Sequence, residues 1–305
     1  MQKRFGTGDR FTKSYLRYFE GAQNVTLQTE EDLNKLGSTQ RMWFDYALTT
    51  NNRGWDLVRF IARYKQFRGA RYLDIGCGFG GSLVAAGKSG SRCVGIEIDP
   101  ERAAFSRRNL ADFGLPVEVL EVDALTQGIE EHLGSFDIIT CNDVAEHVES
   151  AERLLLNVAR LLKPGGLAYL ETPNGTCIES VARDGHFGLF GITLLNREQA
   201  RAYHWERFHY AYDVGDYWSL DDYFEFFRRA GLKVTLAPSL YHPTRTMDEL
   251  TAQLRLLDEA RIRDPAIDPA YEEYRARLEQ DRRTLDEEAF RNRYLRSFWT
   301  FLGFA

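Results

Sequence analysis

The sequence predicts an α/β fold, a mostly parallel sheet covered by helices on both faces. Three observations predict it. Apolar, β-type runs alternate with helical runs through residues 69–166. The first run, residues 72–75, leads into Gly76, Gly78 and Gly80, and Ser82 opens a helical run directly after them. The next two runs, residues 92–98 and 117–123, carry the acids Glu97 and Asp123 near their C-terminal ends.

Taken in order, residues 1–68 read as a mostly helical extension rich in aromatics, among them Tyr15, Tyr18, Phe19, Trp43, Phe44 and Tyr46. Within it, Asn51-Asn52-Arg53-Gly54 reads as a turn and residues 55–64 as an amphipathic helix. Such an extension is expected to close over an active site, to pack on a sheet edge, or both. Alternate glycines then permit a tight strand-to-helix turn and a close approach of backbone to ligand. Glu97, roughly 20 residues beyond them, is placed to accept hydrogen bonds from a ribose diol. Asp99-Pro100 starts the next helix, with Asp as N-cap and Pro in the first turn. A further helix over residues 150–162 carries Leu154, Leu155, Val158, Leu161 and Leu162 at the helical period, and Pro164-Gly165-Gly166 is expected to end it before a strand at 167–170.

Residues 175–218 break the pattern. They hold His186, His204 and His209 among many aromatics, and a long insertion beyond a strand's C-terminal end is where acceptor-binding residues accumulate. A helix at 220–230 and a strand at 232–237 follow. Residues 244–293 read as a helical hairpin with a solvated, charged face. The run at 298–304 is almost wholly apolar, as a strand covered on both faces should be.

Composition narrows the functional classes. A formal net charge of −6 argues against a nucleic-acid partner bound mainly through phosphates. With no apolar run near 18 residues and no signal-peptide pattern, a cytoplasmic protein is expected. Cys77, Cys93, Cys141 and Cys177 lack metal-type spacing and read as reduced and structural.

Five motifs occur in order: D-x-G-x-G-x-G (Asp74 to Gly80), GIEIDP (Gly95 to Pro100), VDA (Val122 to Ala124), FDIITCNDVAEHV (Phe136 to Val148) and LLKPGG (Leu161 to Gly166). Together they resemble the class I S-adenosylmethionine-dependent methyltransferases. The resemblance implies a Rossmann-like, seven-stranded sheet closed by an antiparallel last strand, so residues 298–304 are expected between the strands at 167–170 and 232–237. The alternative is an exposed end, led by Arg291, Arg293 and Arg296, that meets a membrane or a second subunit. The implied organisation is a helical extension at 1–68, a cofactor-binding domain at 69–243 with an acceptor-site insertion at 175–218, a hairpin at 244–293 and a final strand at 294–305.

The resemblance also implies residue roles. Asp74 would help hold the methionine amino end, and Gly76, Gly78 and Gly80 would let the backbone pass beneath the cofactor. Glu97, with Ile98 beside it, would meet the ribose; Asp123 and Ala124 would meet the adenine edge. Asn142 would lie near the methionine portion. Asp143, Glu146 and His147, at i, i+3 and i+4, are expected to share one face of a helical start. They are similar to the D/E-x-x-E-H arrangement of ubiquinone-pathway O-methyltransferases and small-RNA 3′-end 2′-O-methyltransferases, where a further His completes an Mg²⁺ site. Tyr212 and Asp213 lie nearest that further position, so no metal ligand is assigned and Mg²⁺ stays an open cofactor. Without metal, His147, His186 or His209 is the expected base, because imidazole titrates near working pH.

The stretch 186–197, beginning HFGLFG, resembles a segment of polysaccharide- and sugar-modifying methyltransferases. The leading expectation is therefore O-methylation of a hydroxyl on a sugar or polysaccharide precursor or another small metabolite. RNA 3′-end 2′-O-methylation and a non-catalytic cofactor-binding protein acting through its hairpin are the alternatives. A homodimer is left open.

Overall fold

The computed structural model describes residues 6–305. Four helices come first: α1 (Asp9–Gln23), α2 (Glu30–Asn34), α3 (Ser38–Leu48) and α4 (Thr50–Ile61). An alternating series follows: β1 (Arg71–Ile75), α5 (Gly81–Lys88), β2 (Arg92–Ile96), α6 (Pro100–Asp112), β3 (Glu118–Leu120), α7 (Ile129–Leu133), β4 (Phe136–Asn142), α8 (Ala151–Leu161) and β5 (Leu162–Pro173). The rest comprises α9 (Ile178–Ala182), α10 (Arg197–Phe208), α11 (Leu220–Arg229), β6 (Lys233–Ala237), α12 (Leu250–Ala260), α13 (Asp268–Thr284), α14 (Glu287–Tyr294) and β7 (Phe298–Phe304), with short 3₁₀ turns at Ile192–Leu194 and Met247–Glu249.

The sheet is seven-stranded and mostly parallel, in the order β3-β2-β1-β4-β5-β7-β6. β1 pairs in parallel with both β2 and β4, so the strand before the glycine loop has a neighbour on either side. β7 runs antiparallel to β6, with Thr235 opposite Leu302, and is buried from Trp299 to Gly303. Its one hydroxyl, Thr300, donates to the buried Glu171, so the covered strand carries no orphaned polar side chain.

The chain divides into two compact units. The first comprises residues 1–141 and 160–168, the second residues 142–159 and 169–305.

In the first unit, the core of the sheet is Leu73, Ile75, Ile138 and Ile139, with Leu83 and Val84 of α5. The helical extension packs through Phe11, Tyr15, Phe19 and Phe44 against Phe105 of α6 and Phe79 of the glycine loop. Residues 51–54, expected as a turn, lie inside α4. Their turn-type composition serves packing. A Cβ on Gly54 would stand 2.2 Å from the Gly81 carbonyl oxygen, so glycine is what lets α4 meet the start of α5. Asn51 is buried and hydrogen-bonds to Asn109 of α6. α6 begins as expected: the Asp99 carboxylate accepts from the amides of Glu101 and Arg102 at 2.8 and 3.2 Å, a cap worth about 1 kcal/mol. β3 is shorter than the run 117–123. Past Leu120 the chain leaves the ladder, and Asp123 instead caps a turn by accepting from the amide of Leu125 at 2.8 Å.

In the second unit, the insertion and the hairpin share one core. Ile178, Val181 and Phe190 pack with Leu257, Tyr271 and Leu278. Residues 244–293, expected as a hairpin of two helices, form three, α12, α13 and α14, and their apolar face is what the insertion rests on. β5 is longer than expected. It begins at Leu162, immediately after α8, so Pro164-Gly165-Gly166 lies within the strand. Among the described residues no helix is long and apolar enough to cross a membrane.

Candidate functional site

The residues expected to hold cofactor fall mainly in the first unit, in the loop between β1 and α5. Gly76, Gly78 and Gly80 all have left-handed φ, 67°, 50° and 76°. At Gly80 a side chain would also be refused on space, since its Cβ would lie 2.4 Å from Ser106 Oγ. The Gly78 amide donates to Glu97 Oε2 at 2.8 Å, and the Asp99 amide donates to Glu97 Oε1 at 3.0 Å. Glu97 is buried, so the acid beyond β2 is also the brace of the loop. Ile98 beside it is 67% exposed, an apolar side chain left open next to a buried acid.

Asp74 lies beneath the loop. Its two oxygens accept from Ser82 Oγ and, at 2.7 Å, from Thr140 Oγ1. Because Thr140 spends its proton on Asp74, Tyr72 must donate to Thr140, at 2.6 Å. Burial, and then the nearby charge of Glu97, push the Asp74 carboxyl up to about 6 against the pull of these hydroxyls. Asp123 and Ala124 lie in the turn after β3, Asp123 exposed and engaged with the Leu125 amide.

Asn142, the last residue of β4, belongs to the second unit, and its amide donates to Asp143 Oδ2 at 2.8 Å. The helical start expected for Asp143, Glu146 and His147 is not formed. Asp143 takes φ 55° while its amide donates to the Glu171 carbonyl at 3.1 Å, and residues 145–147 form a turn closed by His147 N–H to Val144 O at 2.9 Å. The left-handed residue directs the chain out of the strand into a turn before any helix can start.

Glu146 is nonetheless buried, with Thr172 Oγ1 3.5 Å from Oε2. Its carboxyl is held well above the usual range by burial, then by Asp143. His147 is exposed and sets Nδ1 3.0 Å from the Asp213 carbonyl oxygen. A carbonyl can only accept, so Nδ1 carries the proton and Nε2 keeps its lone pair.

His186 reaches this turn from the insertion. Asp184, buried after α9, accepts from the amides of His186, Phe187 and Leu189 at 2.9, 3.0 and 2.6 Å, which fixes the loop. The two imidazoles stand edge to face, centroids 5.3 Å apart. Tyr217 OH lies 3.3 Å from His186 Nδ1. Burial, then His147, lower the basicity of His186, while Asp184 and Asp213 raise it. The end of the insertion is fastened to the same turn: the Gly215 amide donates to the Glu146 carbonyl, and Arg197 Nη2 donates to the Val148 carbonyl at 2.9 Å.

One potential ligand atom each from Glu146, His147 and His186 lie within 4.8 Å of one another. A histidine that favours neutrality suits a divalent cation, while a cation at Glu146 would have to displace the proton that burial favours there. Two nitrogens and one oxygen suit zinc, manganese or iron better than magnesium. No ligand was expected at Tyr212 or Asp213, the residues nearest the further position; His186 is the third member of the cluster, and Asp213 holds His147 through its backbone carbonyl.

His209 does not join this cluster. It ends α10 as an exposed residue with φ 57°, edge-on to Trp205 at 6.3 Å. His204 is the buried member of that helix, enclosed by Phe187, Phe208 and Tyr210 at 4.3 to 4.9 Å. Sequence reasoning missed Tyr217, Ser82 and Thr140, single hydroxyls with no local signal.

The family profile described as "Methyltransferase domain" matches residues 49–237. The chain is 36% identical over 159 residues to the "Ubiquinone biosynthesis O-methyltransferase" of Xanthomonas oryzae pv. oryzae (strain PXO99A), covering 48% of this chain and 62% of that protein. It is 28% identical over 146 residues to the protein of the same name from Methylococcus capsulatus (strain ATCC 33009 / NCIMB 11132 / Bath), covering 47% and 61%. The chain therefore spans less than two thirds of the length of these relatives. In fold it is similar to an S-adenosylmethionine dependent methyltransferase from Mesorhizobium loti (TM-score 0.51, 18% identity, 82% of this chain and 97% of that one). It is also similar to a SAM dependent methyltransferase from Archaeoglobus fulgidus (0.51, 16%, 87% and 98%). With the profile match covering more than half of its length, this chain belongs to the class I S-adenosylmethionine-dependent methyltransferases.

Proposed function

We propose that the protein transfers the methyl group of S-adenosylmethionine to a hydroxyl oxygen of a small acceptor, a sugar hydroxyl being the first reading. The observation that carries it is the pair His147 and His186 above buried Glu146, a place for a proton on leaving an oxygen. The acceptor oxygen forms a bond to the methyl carbon as the carbon–sulfur bond breaks, and the electron pair of that bond stays on sulfur. The hydroxyl proton goes to His147 Nε2, leaving an ether, the neutral thioether product and an imidazolium. The Asp213 carbonyl holds the ring in the required tautomer. His186 and Tyr217 orient the acceptor hydroxyl, and Tyr217, held protonated by burial, acts as a donor. A divalent ion held by Glu146, His147 and His186 would replace His147 as the aid to deprotonation, occupying Nε2 and stabilising the alkoxide form of the acceptor.

The stretch 186–197 supports the sugar reading, as does the density of aromatic rings around His186, which can stack on apolar sugar faces. A phenolic acceptor is the second reading, favoured by the printed names of the relatives. Incubation with methyl-labelled S-adenosylmethionine tests both, with nucleotide sugars in one arm and a catechol in the other, each with and without EDTA. Label in an ether of either acceptor supports hydroxyl transfer and selects the class. Label in neither, alongside label in an amine, overturns it; full activity in excess EDTA removes the metal.

A further inference from the structure

We infer that Asn109, paired with Asn51, is a positioning residue for the cofactor loop. Phe79 stands between Gly78 and Gly80, the left-handed glycines at the tip of the loop. Asn109 Nδ2 donates to the Phe79 carbonyl at 2.8 Å. Side-chain amides of Asn109 and Asn51 bond reciprocally, Nδ2 to Oδ1, at 2.8 and 3.2 Å. Both asparagines are buried, Asn109 completely. Asn51 also donates to the Gly6 carbonyl at 3.0 Å, so the pair joins the start of α4, the middle of α6 and the chain before α1 to one carbonyl of the loop.

The chemistry requires an amide there. A carbonyl in a buried turn needs a donor from outside its own turn. The donor must also be satisfied when no ligand is bound, and a reciprocal amide pair uses one hydrogen on its partner and keeps another for the loop. The Phe79 ring is held from the other side by Phe11 and Tyr15 of α1, at 5.9 and 5.4 Å. With its carbonyl held by Asn109, its ring by α1 and the preceding Gly78 amide by Glu97, the tip is preorganised for ligand. Each contact is within the first unit.

The inference rests on the family's cofactor, and titration of the full chain with S-adenosylhomocysteine separates the two. No binding by the wild-type chain rejects the cofactor reading. Wild-type binding with Asn109→Ala within twofold of it rejects the clamp alone. The expected result is a dissociation constant raised about 10- to 100-fold in Asn109→Ala and less than about threefold in Asn51→Ala, which keeps the bond to Phe79. Both variants lose a buried partner and should lose similar melting temperature, so equal losses of affinity in the two would show a general structural effect and overturn the clamp. In turnover, Asn109→Ala should raise KM for S-adenosylmethionine and leave kcat unchanged. Should Asn109→Ala fail to fold, the double variant Asn51→Leu/Asn109→Leu replaces the amide pair by apolar groups of similar shape. It still lacks the donor to Phe79, and the same affinity limits decide.

Discussion

The glycine loop of the first unit and the histidine turn of the second are built in opposite ways. In the loop every acid is already engaged: Glu97 with two amides, Asp74 with two hydroxyls, Asp123 with its own turn. The partners of Asp74 and Asp123 lie in their own motif or an adjacent strand, so the loop is a finished object before a ligand arrives. In the turn, Glu146 has a long hydrogen bond to Thr172, and His147 and His186, 39 positions apart, meet because the insertion folds back. The difference lies in where the partners come from: local sequence in the loop, distant segments in the turn.

The largest test of that contrast is in the turn. His147→Ala should lower turnover by about 10²- to 10⁴-fold, measured with whichever labelled acceptor the chain accepts. Retained turnover would move the base elsewhere. In the loop, Glu97→Ala removes the proposed ribose acceptor and frees the Gly78 amide, and calorimetric titration with S-adenosylhomocysteine should read an affinity loss of about 1–3 kcal/mol. Unchanged affinity would remove Glu97 from the ligand.

Smaller is the pH effect. Asp74, with its carboxyl pushed up to about 6, contributes stability that is fully present below the unfolded value of 3.8 and lost as pH rises through about 6. On the role proposed for Asp74, cofactor binding has the opposite sign, because the amino end of the ligand would select the ionised acid. Affinity should be flat above about pH 6 and fall by up to about tenfold per pH unit below it, and Asp74→Asn should abolish that slope. A slope that persists in the variant belongs to another group. The smallest effect is expected at His209. An exposed helix-end residue outside the cluster, it should change turnover by less than about twofold when replaced by Ala, and a loss as large as that of His147→Ala would put it back among the bases.

What the sequence made legible follows the same division. The loop could be read because its chemistry is local: strand, alternate glycines and an acid at fixed spacing. β7 was equally readable, because a strand covered on both faces must be apolar at every position, and residues 298–304 are nearly so. Residues 51–54 misled because Asn and Gly serve two purposes. Here Gly54 allows two backbones to touch and Asn51 fills a buried amide pair, neither of which leaves a mark on the local pattern. The turn after β4 was legible in composition but not in shape, since φ 55° at Asp143 is imposed by the Glu171 carbonyl from a neighbouring strand. That His186, and not His209, completes the cluster depends on how Asp184 and Arg197 fold the insertion back, which no spacing in the chain encodes.

The central proposal is that ligand holding belongs to the glycine loop and proton removal to the histidine turn. Titrating S-adenosylhomocysteine into His147→Ala tests it most directly. The account predicts wild-type affinity, within about twofold, in a variant that has lost turnover. An affinity loss as large as that of Glu97→Ala would contradict it.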